Sequence, residues 1–417
     1  MPILRRLLLV LMLLVTAFCA FRIYALEQQR KALKEDLVEL SKIKYGLFSI
    51  DEWKRILADI LSKKIDELDF SAEEKTEVRE KVQAFLENTV AELEERFYEE
   101  KSNSFLGIIQ GGVASFTGIF DKIKKDIPLF TGQILDFLND PANRDKVKAY
   151  IQDKLSDYAD RTFGSIDYTE HNQILEKYSF GDRGQTIAGL RSALEENHVQ
   201  MRPFLIAIYA MLFFSMVLFL VSTDLSKIEF LIATLFCLVF LVCGLMFPMI
   251  EIDARIQEMS FTLLGEPVTF NDQVLYYRSK SILEVVSVLL QQGKWDVGLV
   301  GALVLLFSVI FPVSKLICSL LYVYRTAIAH NPILRFMVFK TGKWSMADVM
   351  VVAIFMSYIG FTGILTEQLN QLEGLTKSLD ILTTNQSSLQ TGFFLFTGFA
   401  VLNLLLSQKL SLSKRLE

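Results

Sequence analysis

Cysteine and histidine are scarce in this 417-residue chain, with four of one and three of the other. Cys19, Cys237, Cys243 and Cys318 all fall inside apolar runs and form no C-x-x-C pair, so they read as packing residues rather than disulfides or metal ligands. His171 and His198 lie in a polar region and His330 in a loop between apolar runs. No Ser-His or metal constellation can assemble from them with the apolar runs, so all three read as surface residues, and neither catalysis nor a cofactor is expected. The phosphate-binding pattern G-x-x-x-x-G-K-[ST] is absent, which argues against nucleotide hydrolysis within the chain. An excess of positive charge is lacking too: 43 Lys and Arg stand against 48 Asp and Glu, so a nucleic-acid partner is not expected.

Apolar surface, by contrast, is abundant. Hydrophobic residues make up 52% of the chain, and its mean hydropathy is +0.35. A bilayer core about 30 Å thick takes about 20 mostly apolar residues in helical form. Six runs meet that requirement, at about 7–25, 203–223, 229–250, 297–323, 347–365 and 391–408. The first resembles a signal peptide in its Arg5-Arg6 start and its Leu7–Val15 apolar stretch, but Ile23 with Ala25 makes a mediocre processing site, and an uncleaved anchor is preferred. Lys and Arg flanks set orientation. Arg5 and Arg6, then Arg325, Arg335, Lys340 and Lys343, then Lys409, Lys414 and Arg415 place both termini and the loop between the fourth and fifth spans in the cytoplasm. The stretch 26–200 and the loops 251–296 and 366–390 are then extracytoplasmic, which is periplasmic in a Gram-negative cell.

Residues 26–200 read as an all-α bundle. Ser49 with Glu52, and Ser71 with Glu74, form capping boxes, and Asp140 before Pro141 marks a third helix start. Trp53, Ile56, Leu57, Ile60, Leu61, Ile65 and Leu68 in the first of these helices, and Val78, Val82, Phe85, Leu86, Val90, Leu93 and Phe97 in the second, fall at three- and four-residue spacing. Val147, Ile151, Leu155 and Tyr158 give the third helix one apolar side, while Glu92 to Glu100 read as a solvated face. Phe105–Phe120, with Gly107, Gly111, Gly112 and Gly118, is too short to cross a bilayer comfortably. It reads either as a buried helical hairpin or as a lipid-contacting element flanked by Lys122, Lys124 and Lys125. The expected fold is therefore an all-α polytopic membrane protein with six transmembrane helices and a helical extracytoplasmic domain. It divides into an anchor (1–25), the extracytoplasmic domain (26–200) and a five-helix membrane domain (201–417).

The fourth span contains an ammonium. Ser308, Pro312 and Lys315 stand at i, i+4 and i+7, giving a polar face with a freed backbone carbonyl. Lysine at that depth costs about 2.5–3.5 kcal/mol on insertion scales unless it is paired, hydrated or snorkels, so a partner is expected. The fifth span opens with Trp344, Ser345 and Asp348, an S-x-x-D pattern that serves capping and the helix dipole and also offers a carboxylate to Lys315. Asn403 is a further polar residue in the sixth span, suited to interhelical hydrogen bonding.

These elements together resemble the paraquat-inducible protein A (PqiA) family: Ser281-Ile282-Leu283, the Phe-Pro-x-x-Lys-Leu of Phe311 to Leu316, the Lys-Trp-Ser-Met-x-Asp element from Lys343 to Asp348, and the Gly392–Leu406 span. Phe247-Pro248-Met249 at the end of the third span fits as well, so the resemblance extends over residues 229–408 and is absent from 26–200. It implies an inner-membrane component of a bacterial envelope lipid-transport and membrane-homeostasis system, working with a periplasmic MCE-domain partner and handling phospholipid. By that resemblance Lys315, Asp348, Ser308, Ser345 and Asn403 form a polar cluster for lipid or protons, with Pro248, Pro312 and Trp344 as structural motif positions. The zinc-ribbon cysteines and tandem modules frequent in that family are missing here. The alternative function is a membrane-anchored sensor or scaffold whose helical extracytoplasmic domain binds a ligand or protein; an intramembrane hydrolase is the remotest reading.

Overall fold

The computed structural model describes residues 2–46, 79–84, 86–91, 124–132, 167–178, 182–222, 226–263, 265–325, 331–340, 347–374 and 380–415, together with Ser49, Glu52, Arg55, Ile56, Asp59, Ile60, Lys63 and Asp153. Among these residues six helices are long and apolar enough to cross a membrane: Ile3–Leu40, Arg183–Val221, Lys227–Met246, Trp295–Tyr324, Val349–Glu367 and Thr391–Leu410. They coincide with the six runs read from the sequence. The chain is a helical, polytopic membrane protein.

The third and sixth spans form the centre. Phe236 and Phe240 of one and Phe396 and Phe399 of the other are fully buried, and the first and second spans close around them with Leu9, Cys19, Ile23, Ile208 and Phe219. Their close approach requires glycine at 244, where a Cβ would come within 2.8 Å of the Phe396 backbone. The fifth span lies at the other extreme, with none of its apolar window buried. Its Val352, Met356 and Ile364 face outward, as side chains solvated by acyl chains would.

Polar contacts mark the two ends of the bundle. At one end the Arg5 guanidinium donates to the Ser222 hydroxyl at 2.5 Å and pairs with Glu229 at 3.2 Å, while the Lys409 ammonium donates to the Ser222 carbonyl at 2.7 Å. The Tyr324 hydroxyl reaches the Lys227 carbonyl at the same end. At the opposite end the Met249 amide donates to the Lys280 carbonyl, the Gln390 amide to the Met249 carbonyl and the Gly392 amide to the Pro248 carbonyl. A Cβ at Gly392 would stand 2.4 Å from the Phe247 carbonyl oxygen, so the exit of the third span and the entry of the sixth fit only around glycine.

Two regions expected to be loops are a β-sheet. Strands β1 (Ile250–Leu263) and β2 (Glu266–Lys280) form a long antiparallel hairpin. Strands β3 (Asp380–Asn385) and β4 (Ser388–Leu389) pair with β1, giving the order β2-β1-β3 with β4 beside β1. The loops 251–296 and 366–390 therefore meet on one side of the bundle, in keeping with the topology read from the charges. The sheet packs through Ile256, Met259, Val268 and Phe270 against Ile60 and Ile56 of the segment opened by Ser49. There the Ser49 hydroxyl accepts the Glu52 amide at 3.2 Å. The reciprocal half of the expected capping box is absent: Glu52 instead holds Arg55, and the Ser49 amide donates to the Gly46 carbonyl.

The first and second helices do not stop at the membrane. Pro2–Leu40 and Arg183–Val221 have 39 residues each, about 58 Å at about 1.5 Å per residue, roughly twice the hydrocarbon thickness. Their outer parts form a stalk with the helix Thr169–Tyr178, cored by Leu33, Leu37, Leu40, Ile174 and Leu190. Val82, Leu86 and Val90 are buried, as their spacing predicts. The expected helix starts at Ser71 and Asp140, the third apolar stripe and the 105–120 segment lie outside the described residues.

His171 corrects the reading of all three histidines as surface residues. It is buried in the stalk joint, its ring centroid 4.8 Å from that of Tyr45 and 5.6 Å from that of Tyr168, because the helix 169–178 turns His171 and Ile174 inward together. His198 is exposed, and His330 lies outside the described residues. Burial holds the His171 imidazole below the ordinary histidine value; Arg183 and Lys44 act in the same direction, and the Asn172 contact and Glu39 against it. A base with a depressed folded-state pKa takes up its proton more readily when unfolded, so the joint keeps full stability above about 6.5 and loses it as pH falls below that value. Thermal unfolding in detergent should show a lower midpoint at about pH 5.5 than at about pH 7.5, on either side of the model histidine value. His171→Gln should flatten this dependence, and an unchanged slope in that variant would assign it to other groups.

Candidate transport site

The fourth span is not a regular α-helix. Trp295–Leu305 continues into a π-helical turn, Leu306–Ile310, before Phe311–Tyr324 resumes α geometry. Pro312 supplies a cause: it has no N–H, and its ring denies the Ser308 carbonyl its usual donor four residues on. The Phe311 amide reaches back to the Leu306 carbonyl, five residues away, which is the wider π spacing.

This distortion sits at the head of a buried polar stripe. Ser308 is 1% exposed, and its hydroxyl makes no hydrogen bond to the described residues. Lys315 is 2% exposed, among the largest fully enclosed side chains of the molecule, and Ser319 one turn further is also buried. The apolar side chains of the same span point the other way, with Ile310, Ile317 and Leu321 exposed. The fourth span thus turns hydroxyl, ammonium and hydroxyl toward the protein, with Leu316 beside them, and turns Ile310, Ile317 and Leu321 outward. Cys237 of the third span lies within electrostatic reach of the Lys315 ammonium, which places Lys315 against the central helix of the bundle.

Asn403 is buried in the sixth span, 4% exposed, and its backbone carbonyl accepts the Ser407 hydroxyl at 2.7 Å. Asp348 stands at the start of the helix Ala347–Gly374, which packs against the π turn and the sixth span. The Asp348 side chain, and all of Trp344 and Ser345, lie outside the described residues, and with them the expected Lys315–Asp348 pair. The described structure therefore brings Ser308 and Lys315 onto one buried face and encloses Asn403 in the same apolar core. Pro248 lies where the third span leaves the core, its carbonyl taking the Gly392 amide.

A second polar cluster escaped the sequence reading. Where the stalk meets the sheet, Arg30 pairs with Glu27 at 2.9 Å and with Glu251 at 3.2 Å; Lys34 stands 3.7 Å from Glu251 and 3.2 Å from Asp253. Arg255 holds Asp253 through two bonds of 2.9 and 2.5 Å and Asp272 at 2.9 Å, and Arg191 of the second helix also reaches Asp272. Four cations and four carboxylates therefore alternate across four elements, two helices and two strands. Asp272 adopts φ +51° in β2, a left-handed conformation that aspartate tolerates better than most residues. Burial pushes the Tyr277 hydroxyl upward in pKa, and Glu251 and Asp253 add to that shift. The available signal was the alternation of Ile250, Ile252, Ala254 and Ile256 with Glu251, Asp253 and Arg255 along β1.

Among protein families, the model of paraquat-inducible protein A matches residues 272–370. That segment is similar to the paraquat-inducible protein A family. The matched segment runs from β2 through the fourth span and into the fifth, so it contains Ser308, Pro312, Lys315, Trp344, Ser345 and Asp348 and excludes Pro248 and Asn403. No curated protein and no solved structure matches the chain. The six apolar helices make this a membrane protein, and its paraquat-inducible protein A-like segment includes the fourth and fifth of them.

Proposed function

We propose that this protein is an inner-membrane component of a bacterial envelope lipid-transport system, not an enzyme, and that it passes phospholipid to a periplasmic MCE-domain partner. The observation that carries the reading is the burial of Lys315 beside Ser308 in the hydrocarbon-level core. An ammonium at that depth is costly to insert, and ionisable groups within spans mark substrate or proton pathways. Asp348 at the head of the fifth span is the carboxylate proposed to answer it, with Ser345 and Asn403 completing the cluster. The exposed fifth span offers acyl chains a side entrance, and the sheet at the far end of the bundle offers a partner a rigid platform.

The orientation proposed follows the positive flanks: the end gathering Arg5, Lys409 and Tyr324 is cytoplasmic, and the sheet and stalk are periplasmic. The test is native mass spectrometry of the detergent-purified protein. Transport predicts retained phospholipid at defined stoichiometry, released on replacing Lys315. Lipid-free protein that copurifies with a stable protein partner would favour the scaffold reading instead.

A further inference from the structure

The segment between the sheet and the fourth span raises a question of placement. The helix Ile282–Gln291 has ten residues, too few to cross a bilayer, and a turn with Gly293 at φ +69° sends the chain back along Trp295–Leu305. The two helices pack closely: a Cβ at Gly301 would stand 3.0 Å from the Leu289 side chain. Yet the hairpin leaves Leu283, Val285, Val288, Leu290, Leu299, Val300 and Leu303 exposed, and Trp295 is 81% exposed at its turn.

Water is a poor surrounding for that surface, since contiguous apolar patches of this extent mark contact with lipid or protein. Three observations choose lipid. First, the same helical run goes on to expose Ile310, Ile317 and Leu321 on the outward face of the fourth span. Second, Ile282 and Val286 belong to the same apolar core as the third and sixth spans, so the hairpin starts at membrane level.

Third, the lengths do not match. Trp295–Tyr324 has 30 residues and Lys227–Met246 has 20, about 45 Å against about 30 Å. Both nevertheless share the end where the Tyr324 hydroxyl meets the Lys227 carbonyl. The surplus of the fourth span has to be taken up near the outer end of the third, and the π turn with Pro312 supplies the place to bend.

The charged groups of the hairpin sit at its extremities, and the one polar side chain in the middle of its first helix, Ser287, accepts a hydrogen bond from the Gln291 amide at 3.1 Å. Glu284, in a reciprocal capping box with Ser281, is paired to Lys31 of the stalk at one end. Gln291, Gln292, Lys294 and Asp296 gather at the turn, beside Trp295. An apolar middle with polar ends and an indole at the turn suits an element lying in the plane of the membrane at headgroup depth. We propose that residues 282–305 form a wedge embedded in the extracytoplasmic leaflet alone, held on the bundle side by Ile282, Val286 and the Lys31–Glu284 pair. This does not rest on the transport reading, because a scaffold would hold the same wedge.

Trp295 is its own reporter. With Trp53→Phe and Trp344→Phe, the full-length protein in liposomes carries one indole, and phosphatidylcholine brominated at either shallow or deep acyl positions probes its depth. The expected result is strong quenching by the shallow bromines, weak quenching by the deep ones and little by aqueous iodide. Iodide quenching with no effect of either bromolipid would overturn the proposal and return the patch to water or to a protein partner. Quenching mainly by the deep bromines would equally overturn a wedge confined to one leaflet. Val288→Trp, in a background where Trp295→Phe is added, should give the same shallow profile from the other helix, so a local disturbance at 295 cannot decide the outcome.

Discussion

Asp253→Ala is expected to destabilise the protein by about 3–5 kcal/mol, the range for removing one member of a buried ion pair. The Asp253 carboxylate is 1% exposed and serves Arg255 and Lys34 at once. Without it, among the described residues, Arg255 keeps Asp272 and Lys34 keeps Glu251 at 3.7 Å, in a place water reaches poorly. The cost arises from the stranded cations, not from the intrinsic strength of the pair, so Asp253→Asn, which preserves shape and some hydrogen bonding, should cost less. Lys63→Ala is the control: Lys63 and Glu266 are 2.6 Å apart but the lysine is exposed, and such pairs contribute about 0–1 kcal/mol. Unfolding in mixed micelles, followed by circular dichroism, measures all three. Similar stabilities for Asp253→Ala and Lys63→Ala would mean that the charge cluster does not clasp the stalk to the sheet.

Lys315→Met is expected to separate function from folding. Methionine is unbranched and fills a volume close to that of the lysine stem, so the packing around residue 315 is retained. Loss of the charge relieves the fourth span of an insertion cost of about 2.5–3.5 kcal/mol. Any group that answers the ammonium loses its counter-charge, which offsets part of that relief. Membrane insertion and yield should therefore stay near wild type, while lipid handling falls to background. Lys315→Arg keeps the charge but replaces a compact ammonium with a planar fork, and should retain only part of the activity. A Lys315→Met protein that inserts normally and still moves lipid would reduce Lys315 to a structural residue.

The spans were legible because length and apolarity decide membrane crossing, and Arg5, Ser222 and Lys409, which flank three of them, meet at one end of the bundle. The sheet was not. Strand β1 buries Glu251, Asp253 and Arg255, which look solvated in a sequence, and irregular register near Ala254 and near Ile256 breaks the alternation. Only the partners Arg30, Lys34 and Arg191, remote in sequence, make that buried charged face possible. His171 was misread for a related reason, since its apolar neighbours Tyr45 and Ile174 come from two different segments. At the candidate site, sequence spacing located Ser308, Pro312 and Lys315 on one face, and the π turn that links them follows from the proline. Ser319, which extends the same stripe one turn further, is absent from that sequence reading.

Transfer of labelled phospholipid between liposomes is the most direct test of the account, with wild-type protein and Lys315→Met reconstituted at equal density together with the proposed MCE-domain partner. The account predicts transfer well above protein-free liposomes for the wild type and none above them for Lys315→Met. Equal transfer by the two proteins would contradict it, as would a wild type no faster than bare liposomes.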